Sequence, residues 1–163
     1  MATKSFTDQV QEWADKTKSN LEWVFRESAS RVIREMQRVG PSVAHPGGGD
    51  GGHLPVDLGF LRASLIATLN APATGVKVNN GDVHVSYSEG PTQLIILGAK
   101  LGDSIFAVYT AAYARRMEYG FVGNDSLGRE YHQSGYGFVR LAVQQWPHIV
   151  QAVVAEAQKR KAT

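Results

Sequence analysis

Hydrophobic residues recur at every third or fourth position over the first part of the chain, which is the spacing of one helical face. Ser5 followed by Asp8 resembles a capping box, and Gly40-Pro41 is typical of a helix end. The pattern predicts a helix from about Phe6 to Val39, roughly 50 Å long at 1.5 Å per residue. That length exceeds the diameter of a domain of this size, so we expect part of the stripe to contact another element or another subunit. The stripe comprises Phe6, Val10, Trp13, Leu21, Val24, Phe25, Ile33 and Met36.

The next segment, GPSVAHPGGGDGGHL, is rich in glycine and proline and contains few apolar groups that could offset the entropy of ordering it. It predicts a flexible loop over residues 41–54. After it, Asp57 is a suitable N-cap for a short helix whose face would hold Leu58, Leu61 and Leu65. From about Ser64 the apolar residues alternate, which predicts a strand.

The rest of the chain alternates between strand and helix patterns. Asn80-Gly81, flanked by valines with period two, predicts a hairpin with a type I′ turn. The runs TQLIIL and SIFAVYT predict two further strands, and AAYARRMEY predicts a short helix that ends at Gly120. The segment FVGNDSLGREYHQSGYG predicts a polar loop.

The last element predicted is a helical stretch from about Phe138 to Lys159, whose apolar face continues across Pro147. A proline inside a helix removes a hydrogen bond, so we expect a kinked helix or two short helices in line. The whole order predicts an α+β fold in one domain over residues 1–163. A long N-terminal helix and a C-terminal helix would pack on one face of a mostly antiparallel sheet.

Composition narrows the classes of protein that the chain can belong to. Its 163 residues include no cysteine, which excludes a disulfide scaffold, thiol catalysis and cysteine-based zinc sites. The net charge of +2 is too small to indicate a nucleic-acid-binding protein by itself. No apolar run approaches the roughly 20 residues of a membrane helix, and the N-terminus lacks the apolar core of a signal peptide. We expect a soluble intracellular protein.

The loops and polar residues do not match the motifs of a phosphate-binding, metal-binding or catalytic site. The glycine run lacks the Lys-Ser/Thr of a phosphate-binding loop and no clear strand precedes it. His45, Asp50, His53 and Asp57 match no metal-ligand spacing, so no metal or cofactor is expected. Ser134 has no nucleophile-elbow frame, and Glu118 with Asp103 is unsupported as an acid–base pair. The sequence therefore predicts no enzyme.

Nucleic-acid binding is the stronger competing hypothesis. Arg115 and Arg116 lie on a predicted short helix between Tyr113 and Tyr119, and the chain ends in further basic residues. A solvated helix face and an ordinary terminus explain the same residues, and we favour that explanation because the basic residues of the first helix interleave with acidic ones.

Three short blocks resemble one protein family when taken in order: PVDLGFLRASL at 55–65, YARRMEYG at 113–120 and GYGFVRLAV at 135–143. Together with the long first helix, they are similar to the tail-completion or neck proteins of long-tailed bacteriophages, which are related to tail-terminator proteins. The family patterns read Pro-Val-Asp-Thr-Gly-x-Leu-x-x-Ser, then Tyr-Ala-x-x-x-Glu-Tyr/Phe-Gly, then Phe-hydrophobic-x-x-Ala. Matching positions are Pro55, Val56, Asp57, Gly59, Leu61, Ser64, Tyr113, Ala114, Glu118, Tyr119, Gly120, Phe138 and Ala142.

Two features depart from the family pattern. Leu58 stands where the family usually has threonine, so a hydroxyl that could cap or bond in the turn is missing. Residues 91–110 are longer than the usual connection between strands. These departures indicate a divergent branch, or a place near the related tail-terminator proteins.

The resemblance implies a non-enzymatic structural protein of the virion at the head–tail junction. It would form a ring, expected to be a hexamer, that contacts the tail tube protein on one side and head-connector proteins on the other. DNA passing through such a ring would be a passive contact.

We interpret the matched residues as mostly structural. Asp57 would cap the short helix, Gly59 would permit a close approach of the backbone, and Leu61 would anchor the block. Glu118 would bond backbone amides or pair with Arg62 or Arg115. The glycine-rich segment would act as an assembly loop, ordered only in the ring. Its residues are His45, Gly47, Gly48, Gly49, Asp50, Gly51, Gly52 and His53.

Overall fold

The computed structural model describes residues 4–40, 52–78, 84–124 and 127–162. Helices and strands within those ranges follow one another along the chain in this order: α1 (Phe6–Met36), α2 (Phe60–Ala63), β1 (Leu65–Leu69), α3 (Gly90–Gly98), β2 (Ile105–Tyr109), α4 (Ala114–Tyr119), β3 (Gly120–Asn124), β4 (Glu130–Ser134), α5 (Phe138–Gln144) and α6 (Trp146–Ala162).

The predicted α+β class is confirmed, with the strands divided between two small antiparallel sheets. β1 pairs with β2, so that Ala67 lies opposite Ala107, and β3 pairs with β4. α1 packs against α3, α5 and α6, and α3 also packs on β1. The helices therefore meet around α1, beside the β1–β2 pair.

The long first helix begins as predicted. The Ser5 hydroxyl accepts a hydrogen bond from the Asp8 amide, and the Asp8 carboxylate accepts one from the Ser5 amide, each at 3.2 Å. The helix ends at Met36 rather than at Val39. Val39 instead forms a parallel bridge with Leu54, so tertiary pairing straightens the chain before Gly40 is reached.

α6 runs antiparallel to α1 and is held to it by charged groups. The Arg31 guanidinium donates to both carboxylate oxygens of Glu156, at 2.8 and 2.7 Å. Four residues further along α6, the guanidinium of Arg160 lies 4.5 Å from the ring centroid of Trp23, which is eight residues earlier in α1. The predicted break near Pro147 is confirmed, because α5 ends at Gln144 and α6 begins at Trp146.

The prediction of a strand at TQLIIL is wrong, because these residues belong to α3. A short apolar run has no period that separates a strand from a buried helix. The overlooked signal is Pro91 in the first turn, a position where proline favours a helix. α3 lies antiparallel along the second half of α1, where Ser30 bonds Gln93 and Arg26 bonds the carbonyl of Ala99.

The predicted polar loop after Gly120 is also wrong, since it contains the hairpin of β3 and β4. Every residue of β4 except Gln133 is exposed, so the sequence of this hairpin shows no alternation of apolar and polar residues. The turn of the other predicted hairpin, at Asn80-Gly81, lies outside the described residues. Its flanks Val76, Val78 and Val85 belong to no strand, although Lys77 bridges to Ala111.

Two apolar clusters lie in the core of the described residues. One joins the second half of α1 to β1, α3 and α5; its buried members are Ala29, Ile33, Met36, Leu65, Ile96 and Ala142. The other lies where α2, α4 and α5 meet; its buried members are Leu54, Leu61, Ala111, Ala114 and Phe138.

Candidate functional site

The three sequence blocks converge on the second apolar cluster. Leu61 comes from the first block, Ala114 from the second and Phe138 from the third. The Phe138 ring meets the ring of Tyr109 edge-on, with centroids 5.2 Å apart. The Tyr109 hydroxyl donates to the carbonyl of Met36 at 2.9 Å, so the aromatic pair links this cluster to the end of α1. We call this region the motif core.

The first block enters the motif core through a glycine and not through an aspartate cap. The expectation that Asp57 caps the helix is wrong: α2 begins after Gly59, whose backbone is left-handed with φ 80°, and no side chain caps it. Leu65 is not on a helical face with Leu58 and Leu61 either, because it starts β1. Asp57 itself is exposed.

The expected close approach at Gly59 is confirmed. The amide of Val85 donates to the carbonyl of Leu58 at 2.8 Å, and a Cβ on Gly59 would collide with the Val85 carbonyl oxygen. Ser64 closes the block: its hydroxyl donates to the Leu61 carbonyl at 2.7 Å. The carbonyl of Ser64 then accepts from both the amide and the hydroxyl of Thr110, which fixes the start of β1 against the end of β2.

Glu118 joins the second block to the third. It is buried, and its two carboxylate oxygens accept hydrogen bonds from the amides of Val139 and Arg140, each at 2.9 Å. These amides lie in the first turn of α5, where a helix leaves donors without partners and a negative charge is favourable. The N-cap of α5 is Gly137, which has no side chain to satisfy them. Glu118 therefore caps α5 from the end of α4, the backbone bonding expected of it.

The backbones of these two blocks also touch directly. The amide of Tyr136 donates to the carbonyl of Met117 at 2.8 Å, and the amide of Gly137 donates to the carbonyl of Glu118 at 3.0 Å. A Cβ on Gly120 would lie 2.5 Å from the Gln133 carbonyl oxygen, and one on Gly135 would collide with the Glu118 carbonyl oxygen. Glycine is thus required on both sides of this contact.

The remaining matched residues are placed as follows. Pro55 is buried, and Ala142 is buried in the other core cluster. The Tyr113 ring is tilted against Phe60 with centroids 6.3 Å apart, and partial burial raises the pKa of its hydroxyl. Tyr119 is exposed on α4.

The expected assembly loop is described only at its end, because His45 and residues 47–51 lie outside the described ranges. The Gly52 amide donates to the Tyr136 carbonyl at 2.6 Å, and Gly52 lies against Leu141. Leu54 is fully buried, and its amide donates to the Arg38 carbonyl at 2.8 Å. The segment from Gly52 onward therefore belongs to the folded body.

The first half of α1 is the most prominent surface feature. α6 ends at Ala162, just beyond the level of Trp23, and the helix before Trp23 extends about 25 Å further at 1.5 Å per residue. We call residues 6–22 the overhang. Phe6 is 80% exposed and Trp13 is 69% exposed, and Val10 and Leu21 are exposed with them. This part of the stripe is thus left uncovered by the residues that the structure describes.

A second exposed apolar face was missed because the sequence placed TQLIIL in a strand. Leu94 and Leu97 are 71% and 63% exposed on α3, and Leu101 is exposed in the turn after it. Thr92, Ile96 and Ala99 are buried on the other side. The spacing of three and four residues among these leucines was the available signal for a helix face.

Glu118 and Asp103, the two residues considered as an acid–base pair, each make structural contacts. Asp103 accepts hydrogen bonds from Asn70 and from the Lys100 amide, and the bond from Asn70 is the main reason that its pKa is lowered. Within residues 4–40, 52–78, 84–124 and 127–162, no three His, Asp or Glu side chains are close enough to hold a metal ion. In the same ranges no helix is long and apolar enough to cross a membrane.

Comparison with protein-family models, with curated proteins and with solved structures found no match to this chain.

Replacing Glu118 with glutamine tests the cap on α5. The side-chain amide offers one acceptor oxygen where the carboxylate offers two, so one buried α5 amide loses its partner. We expect the free energy of unfolding to fall by about 1–3 kcal/mol. Chemical denaturation measures it, with Glu130→Gln on the exposed strand β4 as the control. An unchanged unfolding midpoint for Glu118→Gln would contradict a structural role for this carboxylate.

Replacing Gly59 with alanine tests the close approach to Val85. Gly75 is a matched control, because it also has a positive φ, at 100°, yet a Cβ there meets nothing within 4 Å. We expect Gly75→Ala to cost about 1–2 kcal/mol from backbone strain alone, and Gly59→Ala to cost clearly more. Equal losses of stability in the two variants would show that the contact with Val85 contributes nothing.

Proposed function

We propose that this chain is a structural subunit of the virion at the head–tail junction of a long-tailed bacteriophage. It completes or terminates the tail as an oligomeric ring and joins the tail to the head connector. The single observation that carries the proposal is the overhang, a helical segment about 25 Å long whose large apolar side chains remain exposed among the described residues. Such a surface on a small domain marks an interaction site.

The motif core supports the proposal in a different way. The residues that match the phage family are engaged in building the subunit: Glu118 caps a helix, Gly59 admits Val85, and Phe138 fills the core. Their contacts need no substrate to complete them, as expected for a protein whose function is its shape. The family resemblance therefore rests on residues that position the elements, including the second half of α1 from which the overhang extends.

The proposed partners follow from this placement. Copies of the chain would meet in a ring, for which the resemblance implies six subunits. The tail tube protein would bind one side and head-connector proteins the other. A protruding segment on one side of each subunit suits contacts that repeat from neighbour to neighbour and close on themselves.

A single charge placed on the stripe tests the role of the overhang. We expect Trp13→Glu to abolish assembly, because the interface would have to bury an unpaired carboxylate, while the melting temperature of the subunit stays within a few degrees. The control is Gln11→Glu, which adds the same charge on the opposite side of α1. Native mass spectrometry and negative-stain electron microscopy measure the result.

Closed rings from the wild type and from Gln11→Glu, but not from Trp13→Glu, are the expected outcome. A Trp13→Glu protein that still forms rings would contradict the role of the overhang, and a wild type that forms only dimers would contradict the ring.

One observation favours a second candidate, contact with nucleic acid. Arg115, Arg116 and Tyr119 are exposed together around a shallow surface concavity on α4. The Arg116 guanidinium lies 4.6 Å from the ring centroid of Phe121, which leaves Arg115 as the more available cation of the two. An exposed arginine beside an exposed tyrosine is an arrangement that can contact phosphate and stack on a base.

Salt dependence of duplex binding separates this candidate from the structural one. If α4 binds DNA, we expect the affinity to fall steeply between 50 and 200 mM salt, and Arg115→Gln to reduce the slope of log affinity against log salt by about 1. Fluorescence anisotropy with a labelled duplex measures both. Lys100→Gln, an exposed cation in the turn after α3, is the control. Absence of measurable binding at 50 mM salt would remove the candidate.

A further inference from the structure

α3 is apolar on two sides, and only one of them is covered. Ile96 and Ala99 face the body, where α1 and β1 pack against the helix. Leu94, Leu97 and Leu101 point away from it and remain exposed. We call these three leucines the α3 face. The overhang and the α3 face are therefore two exposed apolar surfaces, on different elements, within the part of the chain that the structure describes.

These two surfaces cannot cover each other within one chain. α3 is fixed beside the second half of α1 by Arg34 with Glu89, by Ser30 with Gln93 and by Arg26 with the Ala99 carbonyl. α1 is one continuous helix. Phe6 therefore lies about 30 Å, and Trp13 about 20 Å, beyond Arg26 along the helix axis. Contact between them needs two copies of the chain.

We propose that the overhang of one subunit packs on the α3 face of the next. The contact is heterologous, because the two subunits contribute different surfaces, and each subunit can give one and receive one. The inference rests on the proposed function in one respect only, that the chain assembles with itself. It adds which surfaces meet.

The exposed area is large enough for a stable contact. On ordinary side-chain areas, Phe6, Val10 and Trp13 of the overhang and the three leucines of the α3 face expose roughly 700 Å² together. A standard protein interface buries about 1,600 Å² in total, of which rather more than half is apolar. The two surfaces thus supply most of the apolar area that such an interface contains.

The obvious alternative, two overhangs packed on each other, fits the residues less well. Phe6, Val10 and Trp13 occupy the first two turns of the stripe, but its next positions are Thr17 and Asn20, with Leu21 beside them. A symmetric antiparallel pair that set Phe6 of one helix near Leu21 of the other would set Val10 against the polar Thr17. The α3 face is apolar throughout, so it covers Phe6, Val10 and Trp13 without burying unpaired polar groups.

Complementation between two variants tests the proposal. The overhang variant carries Phe6→Glu and Trp13→Glu, and the face variant carries Leu94→Glu and Leu97→Glu. We expect each alone to self-associate at least roughly 100-fold more weakly than the wild type, because each buries unpaired charge in every contact. Mixed in equal amounts, they retain one good pair of surfaces: the overhang of the face variant and the α3 face of the overhang variant. The mixture should form a 1:1 heterodimer that cannot grow, seen by native mass spectrometry.

As a control for folding, the unfolding midpoint of each variant is compared with that of the wild type, and similar midpoints show that both variants fold. If the face variant does not fold, Leu94→Gln with Leu97→Gln replaces it. A chemical cross-link gives a second measurement, because the sequence contains no cysteine. Trp13→Cys with Leu97→Cys in one chain, treated with a short bismaleimide, should give a ladder of linked subunits. Either cysteine alone should give no product larger than a dimer.

Three results would overturn the proposal: a face variant that assembles like the wild type, a mixture that stays monomeric, or a wild type that is still monomeric at about 0.5 mM. The first indicates pairing of two overhangs. Failure of the proposed function is distinguishable from these results. A 1:1 heterodimer from the mixture, combined with open filaments and no closed rings from the wild type, supports the contact and contradicts the neck ring. Closed rings that still form with the α3 substitutions support the neck ring and contradict the contact.

Discussion

The carboxylate of Glu118 is the interaction on which the rest of the fold depends. It accepts hydrogen bonds from two amides at the start of α5 and thereby fixes α4 against α5. The N-cap residue of α5, a glycine, has no side chain that could accept them. The glycines on either side of this contact let the two backbones touch. With α5 in place, Phe138 reaches Tyr109, whose hydroxyl bonds the end of α1. One buried acid thus connects the short elements in the middle of the chain to the long helix that dominates the surface.

The elements that the sequence predicts correctly are those whose signals are local. The capping box, the stripe of α1, the alternation in β1, and the break near Pro147 are all decided by neighbouring residues. α3 and the hairpin of β3 and β4 are decided by contacts elsewhere. A run such as LIIL fits a strand or a helix equally well until its neighbours are known, and an exposed two-stranded ribbon has no buried face to impose alternation. Asp57 does not cap α2, because the N-cap position is taken by Gly59 with a left-handed backbone.

The candidate site, like the fold, could be predicted from the sequence only in part. The close approach at Gly59 and the anchoring by Leu61 could be anticipated from the residue types, whereas for Glu118 the sequence left backbone bonding and pairing with Arg62 or Arg115 both open. The uncovered surfaces could be anticipated only in part. The predicted length of α1 indicated that the helix would extend beyond the rest of the domain. The 31 residues of the observed helix span about 46 Å. Which side of α3 faces outward depends on how α1 and β1 pack on it, and periodicity carries no information about that.

The continuity of α1 has a mechanical consequence. Ala29, Ile33 and Met36 anchor one end of the helix in the core, and Phe6 stands at the other end with no joint between them. Such a helix acts as a lever. A tilt of about 5° at the anchored end displaces the tip by about 4 Å over its full length. Small rearrangements among the core side chains are therefore amplified at the tip, so the packing of the interior sets how accurately the subunit aims its outermost residues.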